Sequence, residues 1–75
     1  MNDFSYNIIR NLAVLSQRGN WNLELNLISW GGRPATYDLR KWSPDHSKMS
    51  KGISLTKSEI DALAEYLSET LIPTE

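Results

Sequence analysis

Apolar and polar residues alternate with a period of two along most of the chain, and only near its end does the period lengthen to three or four. From Trp21, one side of the segment reads Trp21, Leu23, Leu25 and Leu27, and the other reads Asn22, Glu24, Asn26, Ile28 and Trp30. Successive side chains of a strand point to opposite faces, so this pattern predicts a half-buried strand over Trp21–Trp30. Thr36–Trp42 alternates likewise, with Tyr37 and Leu39 on one side and Thr36, Asp38, Arg40 and Trp42 on the other. A shorter strand over Gly52–Leu55 places Ile53 and Leu55 together. The first segment, Tyr6–Gln17, is less regular. Its Ile8, Ile9, Leu12 and Leu15 also fit helical spacing, but β-branched residues and the Gly19-Asn20 break predict a strand leading into a hairpin.

The breaks between these segments carry turn chemistry: Gly19-Asn20, then Gly31-Gly32-Arg33-Pro34, then the polar run from Ser43-Pro44-Asp45-His46 to Ser50. The last segment changes period. Ile60, Leu63, Ala64, Leu67 and Leu71 form a helical stripe, Asp61, Glu65 and Glu69 line the opposite side, and Pro73 closes the segment. Thr56-Lys57-Ser58-Glu59 reads as a capping box at the helix start. The expected fold is α+β in a single domain over residues 1–75: an antiparallel sheet of four strands followed by one C-terminal helix, in the order β-β-β-β-α.

A chain of 75 residues has a thin core, because a domain this small buries only about 60% of the surface its unfolded form exposes. Disulfides, metals or self-association compensate in small domains. The sequence has no cysteine and a single histidine, His46, so neither a disulfide nor a thiolate or imidazole metal cluster is available. Self-association is the remaining route, and a homodimer is expected. No apolar run nears the roughly 20 residues that span a bilayer, and the first residues lack a signal-peptide pattern. A soluble, cytoplasmic protein is expected, without a membrane partner.

The net charge of −1 hides an asymmetry. Through residue 55 the chain has seven Arg and Lys against four Asp and Glu, and beyond it one Lys against five carboxylates. A basic body with an acidic final segment can present a cationic face to a polyanion.

That face is read from the strand sides that lack leucine. Trp30, Arg40 and Trp42 fall there with Asn22, Asn26 and Thr36, and Lys51 lies near the same edge. Trp21 falls on the leucine side and is assigned to the core. Tryptophan on a polar, cationic face suits unpaired nucleic acid, since stacking contributes about 1–3 kcal/mol per base without reading sequence. Arg and Lys meanwhile meet phosphates and release counterions. Arg33, Lys41 and Lys48 supply further cations around the strands. Catalysis is not expected: Asp45 and His46 lack a third metal ligand at suitable spacing, no serine lies in a nucleophile elbow, and Gly31-Gly32 fits no nucleotide fingerprint. No cofactor and no small-molecule substrate are expected.

Several stretches together resemble the transcriptional coactivator family called positive cofactor four: Tyr37-Asp38-Leu39-Arg40-Lys41-Trp42, and Lys51-Gly52-Ile53-Ser54-Leu55-Thr56 followed by an amphipathic helix. Glu24-Leu25-Asn26, Ser29-Trp30 and Trp42-Ser43-Pro44-Asp45-His46 look like its bacterial YdbC-type branch. The resemblance implies a curved four-stranded sheet with one helix, dimerised through the helices, that binds single-stranded DNA with little sequence preference. It further implies that Trp30 and Trp42 stack bases while Arg40 and Lys51 meet the backbone. Eukaryotic members carry a serine- and acid-rich regulatory arm with no counterpart in these 75 residues, so phosphorylation control is not expected.

The leading expectation is a non-enzymatic, nucleoid-associated single-stranded DNA-binding homodimer acting in transcription, replication or repair. RNA remains open, since only a 2′-hydroxyl contact separates the two. The alternative is a dimeric interaction module that docks a peptide or polymerase subunit on its aromatic sheet face, with the same tryptophans as anchors.

Overall fold

The structure, a computed structural model, describes residues 5–70. It contains strands β1 (Tyr6–Arg18), β2 (Trp21–Trp30), β3 (Thr36–Trp42) and β4 (Met49–Leu55), then helix α1 (Lys57–Thr70). The strands form one antiparallel sheet in chain order. The expected β-β-β-β-α arrangement holds, with β2 and β3 bounded as predicted and β4 starting earlier, at Met49. Leu71 and Pro73, assigned to the helix stripe and its end, lie outside the described residues.

The irregular spacing in the first segment has a structural cause. The β1–β2 pairing shifts register between Ile8 and Arg10, between Asn11 and Ala13, and between Val14 and Ser16. Each shift leaves one extra residue on β1: Ile9, Leu12 and Leu15. Their three-residue recurrence imitates a helix but marks a strand bulged at regular intervals. Bulges bend the strand that carries them and increase its twist.

The bending is severe. Tyr6 pairs with Trp30 near one end of β2, whereas Trp42 pairs with Asn22 near the other. In a flat strand, the eight steps from Asn22 to Trp30 span roughly 26 Å. Yet the Tyr6 ring centroid is 5.6 Å from Trp30 and 5.6 Å from Trp42. The sheet therefore coils so that its Trp30 end folds back over Trp42.

This coil reverses the expected burial. The five buried residues among those described are Glu24, Asn26, Ile28, Asp38 and Trp42, all on the side read as wet. On the leucine side, Leu23, Leu25, Leu27, Tyr37 and Leu39 are half-buried and Ile53 is 53% exposed. Trp21, assigned to the core, is 38% exposed. A single sheet layer shelters whichever side it curls around, and here that is the polar one.

Helix α1 begins as predicted. The Thr56 hydroxyl accepts from the Glu59 amide at 3.2 Å, and the Glu59 carboxylate accepts from the Thr56 amide at 2.8 Å. Lys57 bonds Asp61 one turn on at 2.9 Å, which raises the lysine pKa, with a lesser contribution from nearby Tyr37. The helix thus starts next to the paired residues Leu55 and Tyr37 at the end of β4. No α1 side chain is buried, and Leu63 and Leu67 are 47% and 44% exposed.

Candidate nucleic-acid interface

Strand alternation groups Trp30, Arg40 and Trp42, and the coil brings them into one cluster. The Arg40 guanidinium lies 4.8 Å from the centre of the Trp30 ring. Tyr6 bridges Trp30 and Trp42, and His46 from the β3–β4 loop covers Trp42 at 5.2 Å between centroids.

The polar members of this interior satisfy one another, which is what allows them to be buried. Arg40 donates to both oxygens of Asp38, at 2.7 and 2.8 Å, and to the Ser50 carbonyl at 3.3 Å. Ser54 donates to the second Asp38 oxygen. Glu24 accepts from Asn11 and Asn26, and His46 Nε2 stands 2.9 and 3.1 Å from its two oxygens. Asn11 also donates to the Asn26 side chain at 2.6 Å. Four strands and a loop are tied together through two carboxyl groups.

Two expectations change with this geometry. Trp42 is wholly buried, with Tyr6 and His46 packed on it, so its indole offers no free face to a base. Arg40 is held by Asp38 in a forked pair with its side chain 13% exposed, so its charge is already matched. Both are structural in this arrangement. Trp30 is half-buried, with the Arg40 guanidinium over its ring.

The other predicted cations behave differently. Arg33, Lys41, Lys48 and Lys51 are all exposed. Arg10 and Arg18, which sequence reasoning did not single out, are exposed on β1. From Ser5 to Leu55, Asp45 is the one exposed acidic residue, because Glu24 and Asp38 are buried and bonded within the sheet. On α1 the balance inverts: Glu59, Asp61, Glu65 and Glu69 are exposed against Lys57. Burial sharpens the charge split of the sequence into a cationic sheet surface and an acidic helix.

Two clefts open at the end of the sheet where β2 begins. One, of about 350 Å³, is lined by Ser16, Arg18, Trp21, Leu23 and Lys41. The other, of about 500 Å³, is bounded by Asn20, Trp21, Ser43, Pro44, Asp45 and Lys48, with Ser47 completing it. Asp45 is turned onto its own loop: it accepts from the Ser47 amide, the Ser47 hydroxyl and the Ser43 hydroxyl at 3.0, 2.8 and 2.9 Å. These bonds, the Ser47 amide first, lower its pKa to about 2. Among the described residues, no group of three or more His, Cys, Asp and Glu is placed to hold a metal ion.

Comparison with known proteins agrees with the resemblance seen in the sequence. The family described as Transcriptional Coactivator p15 (PC4) matches residues 18–66, from the end of β1 into α1. An uncharacterized protein of Treponema pallidum (strain Nichols) is 57% identical over 67 residues, covering 88% of this chain and 79% of that protein.

Proposed function

The chain belongs to the transcriptional coactivator p15 (PC4) family, and from that premise we propose that it binds single-stranded DNA on its sheet, without chemistry and with little sequence preference. The observation that carries this reading is the exposed charge. Arg10, Arg18, Arg33, Lys41, Lys48 and Lys51 face solvent on the sheet and its loops against Asp45 alone, although the whole chain has a net charge of −1. Cations on such a surface neutralise phosphates and release the counterions condensed on the nucleic acid, and that release drives sequence-independent association. The acidic helix repels the same polyanion and confines it to the sheet.

The chain acts as a homodimer in this proposal. The part of the leucine side away from Trp21, with Leu25, Leu27 and Leu39, and the stripe of α1, Ile60, Leu63, Ala64 and Leu67, are two apolar surfaces that a second copy can cover. The alternative of a peptide docked on the aromatic sheet face is weaker, because Trp42, one of its anchors, is buried.

Titration of the purified chain with labelled oligo(dT) at several salt concentrations tests the reading. Affinity is expected to fall as salt rises, with a log–log slope of about −0.7 per phosphate neutralised. A flat response, or no binding at low salt, would refute it. Competition with oligo(U) separates DNA from RNA preference.

A further inference from the structure

We propose that Trp21, which strand alternation assigns to the core, is the residue on which a DNA base stacks. The inference rests on the single-stranded DNA reading above and names the subsite within it. Of the three tryptophans, Trp42 is 0% exposed and Trp30 is half-buried under Arg40, whereas Trp21 is 38% exposed.

Its surroundings are those of a base-binding wall. Trp21 is the one residue common to both clefts at this end of the sheet, so the indole stands between them. Their volumes, about 350 and about 500 Å³, fall in the range of ligand pockets, which runs from about 300 to 1,000 Å³. The smaller cleft is lined by Arg18 and Lys41 and by no acidic residue, so it suits a phosphate. The larger offers Asn20 to a base edge and Lys48 to the next phosphate, while Asp45 Oδ1 is held by its own loop. A strand crossing here places an aromatic ring between cations on either side, the arrangement that binds unpaired nucleotides without reading their sequence.

The backbone geometry sets the position of Trp21 as well. Trp21 opens β2 directly after the tight turn in which Gly19 takes a φ of 58°, and it pairs with Arg18 across that turn. Trp21 and Arg18 therefore stand opposite each other on adjacent strands, which sets an aromatic residue beside a cation.

Three measurements decide the matter. Anisotropy of labelled oligo(dT) gives the affinity of wild type, Trp21→Ala and Trp21→Phe. Light scattering gives their oligomeric state. The third uses Trp30→Phe/Trp42→Phe, which leaves Trp21 as the sole tryptophan and is titrated with unlabelled oligo(dT) under excitation selective for tryptophan. We expect Trp21→Ala to weaken binding roughly ten-fold or more with unchanged oligomeric state, Trp21→Phe to keep most of the affinity, and the Trp21 emission to be quenched on binding. Wild-type affinity in Trp21→Ala, or binding without quenching of Trp21, overturns the proposal and leaves the single-stranded DNA reading intact. Weak binding by both variants together with a lost dimer also overturns it, marking Trp21 as an interface residue. Failure of wild type to bind oligo(dT) refutes the parent reading instead.

Discussion

Arg40 lies directly over Gly52. The two residues face each other across β3 and β4, and a β-carbon built on Gly52 would run into the Arg40 side chain, while standing 2.6 Å from the Leu39 carbonyl oxygen. The absence of a side chain at residue 52 lets the Arg40 side chain lie over β4, where it meets Ser50 while bonding Asp38 of its own strand. Gly52→Ala should therefore push Arg40 off its partners and cost about 1–3 kcal/mol, the usual range for overpacking. Urea denaturation checks this; an unchanged midpoint would mean that the two strands separate easily at this point.

The Arg40–Asp38 pair itself predicts an asymmetry. Asp38 is fully buried, so Arg40→Ala leaves a buried carboxylate with only Ser54 as a side-chain donor. Breaking one partner of a buried pair costs about 3–5 kcal/mol, whereas replacing both with apolar residues of like size is often neutral. Arg40→Met should thus destabilise more than Arg40→Met combined with Asp38→Leu. Equal loss in the single and double variants would show that the two residues do not depend on each other.

Trp42 and Trp21 should respond oppositely to truncation. Trp42→Ala removes a wholly buried indole from between Tyr6 and His46 and should cost about 3–5 kcal/mol, enough to unfold much of so small a domain at 25 °C. Trp42→Phe should cost less, because it keeps a ring while discarding the Nε1–H, which has no acceptor among the described residues. Trp21→Ala is a change at an exposed site and should move stability by about 0.5 kcal/mol or less. Thermal melts by far-UV circular dichroism rank the three; a Trp42→Ala melt equal to that of Trp21→Ala would contradict the burial seen here.

The contrast between these tryptophans shows where the sequence is legible and where it stops. Alternation correctly places Trp30, Arg40 and Trp42 on one side of the sheet, and Thr56 with Glu59 correctly marks the helix start. Which side the sheet encloses is another matter. That depends on the direction of coiling, set by the extra residues Ile9, Leu12 and Leu15, and a bulge appears in sequence only as a break in period. Glu24, Asn26 and Asp38 look wet by residue type. They are buried because their partners, Asn11, His46, Arg40 and Ser54, arrive mainly from other strands or a distant loop. Trp21 stands outside the core for the same reason: on a sheet curled toward its polar side, the apolar side is the one left open.

Asp45 gives the β3–β4 loop a pH dependence. Its pKa falls from 3.8 to about 2 because the Ser47 amide and the Ser47 and Ser43 hydroxyls donate to the ionised form. Folding therefore favours the carboxylate. The stabilisation is fully present above about pH 4 and disappears as the pH drops through about 2. Because the group is solvent-exposed, the effect is a modest one. The wild-type urea midpoint should fall more steeply between these limits than that of Asp45→Asn, and parallel slopes would mean that the loop bonds do not persist in solution.

The apolar stripe of α1 predicts how the protein assembles. Leu63 and Leu67 are about half exposed, no helix side chain is buried, and the leucine side of the sheet is open. Apolar surface is stabilised by roughly 25 cal/mol per Å² when removed from water, so a second copy covering both surfaces lowers the free energy of each. The acidic outer residues Asp61, Glu65 and Glu69 oppose packing on their own side and direct the contact to the stripe. Leu63→Glu or Leu67→Glu inserts a charge where the partner packs. Light scattering should then show a dimer for wild type and a monomer for each variant. Because the cationic residues lie on the sheet, each monomer should still bind short oligo(dT) but lose the added affinity that two linked surfaces confer on longer strands. A wild-type chain that is monomeric at micromolar concentration would refute the assembly, leaving the charge argument for DNA binding standing alone.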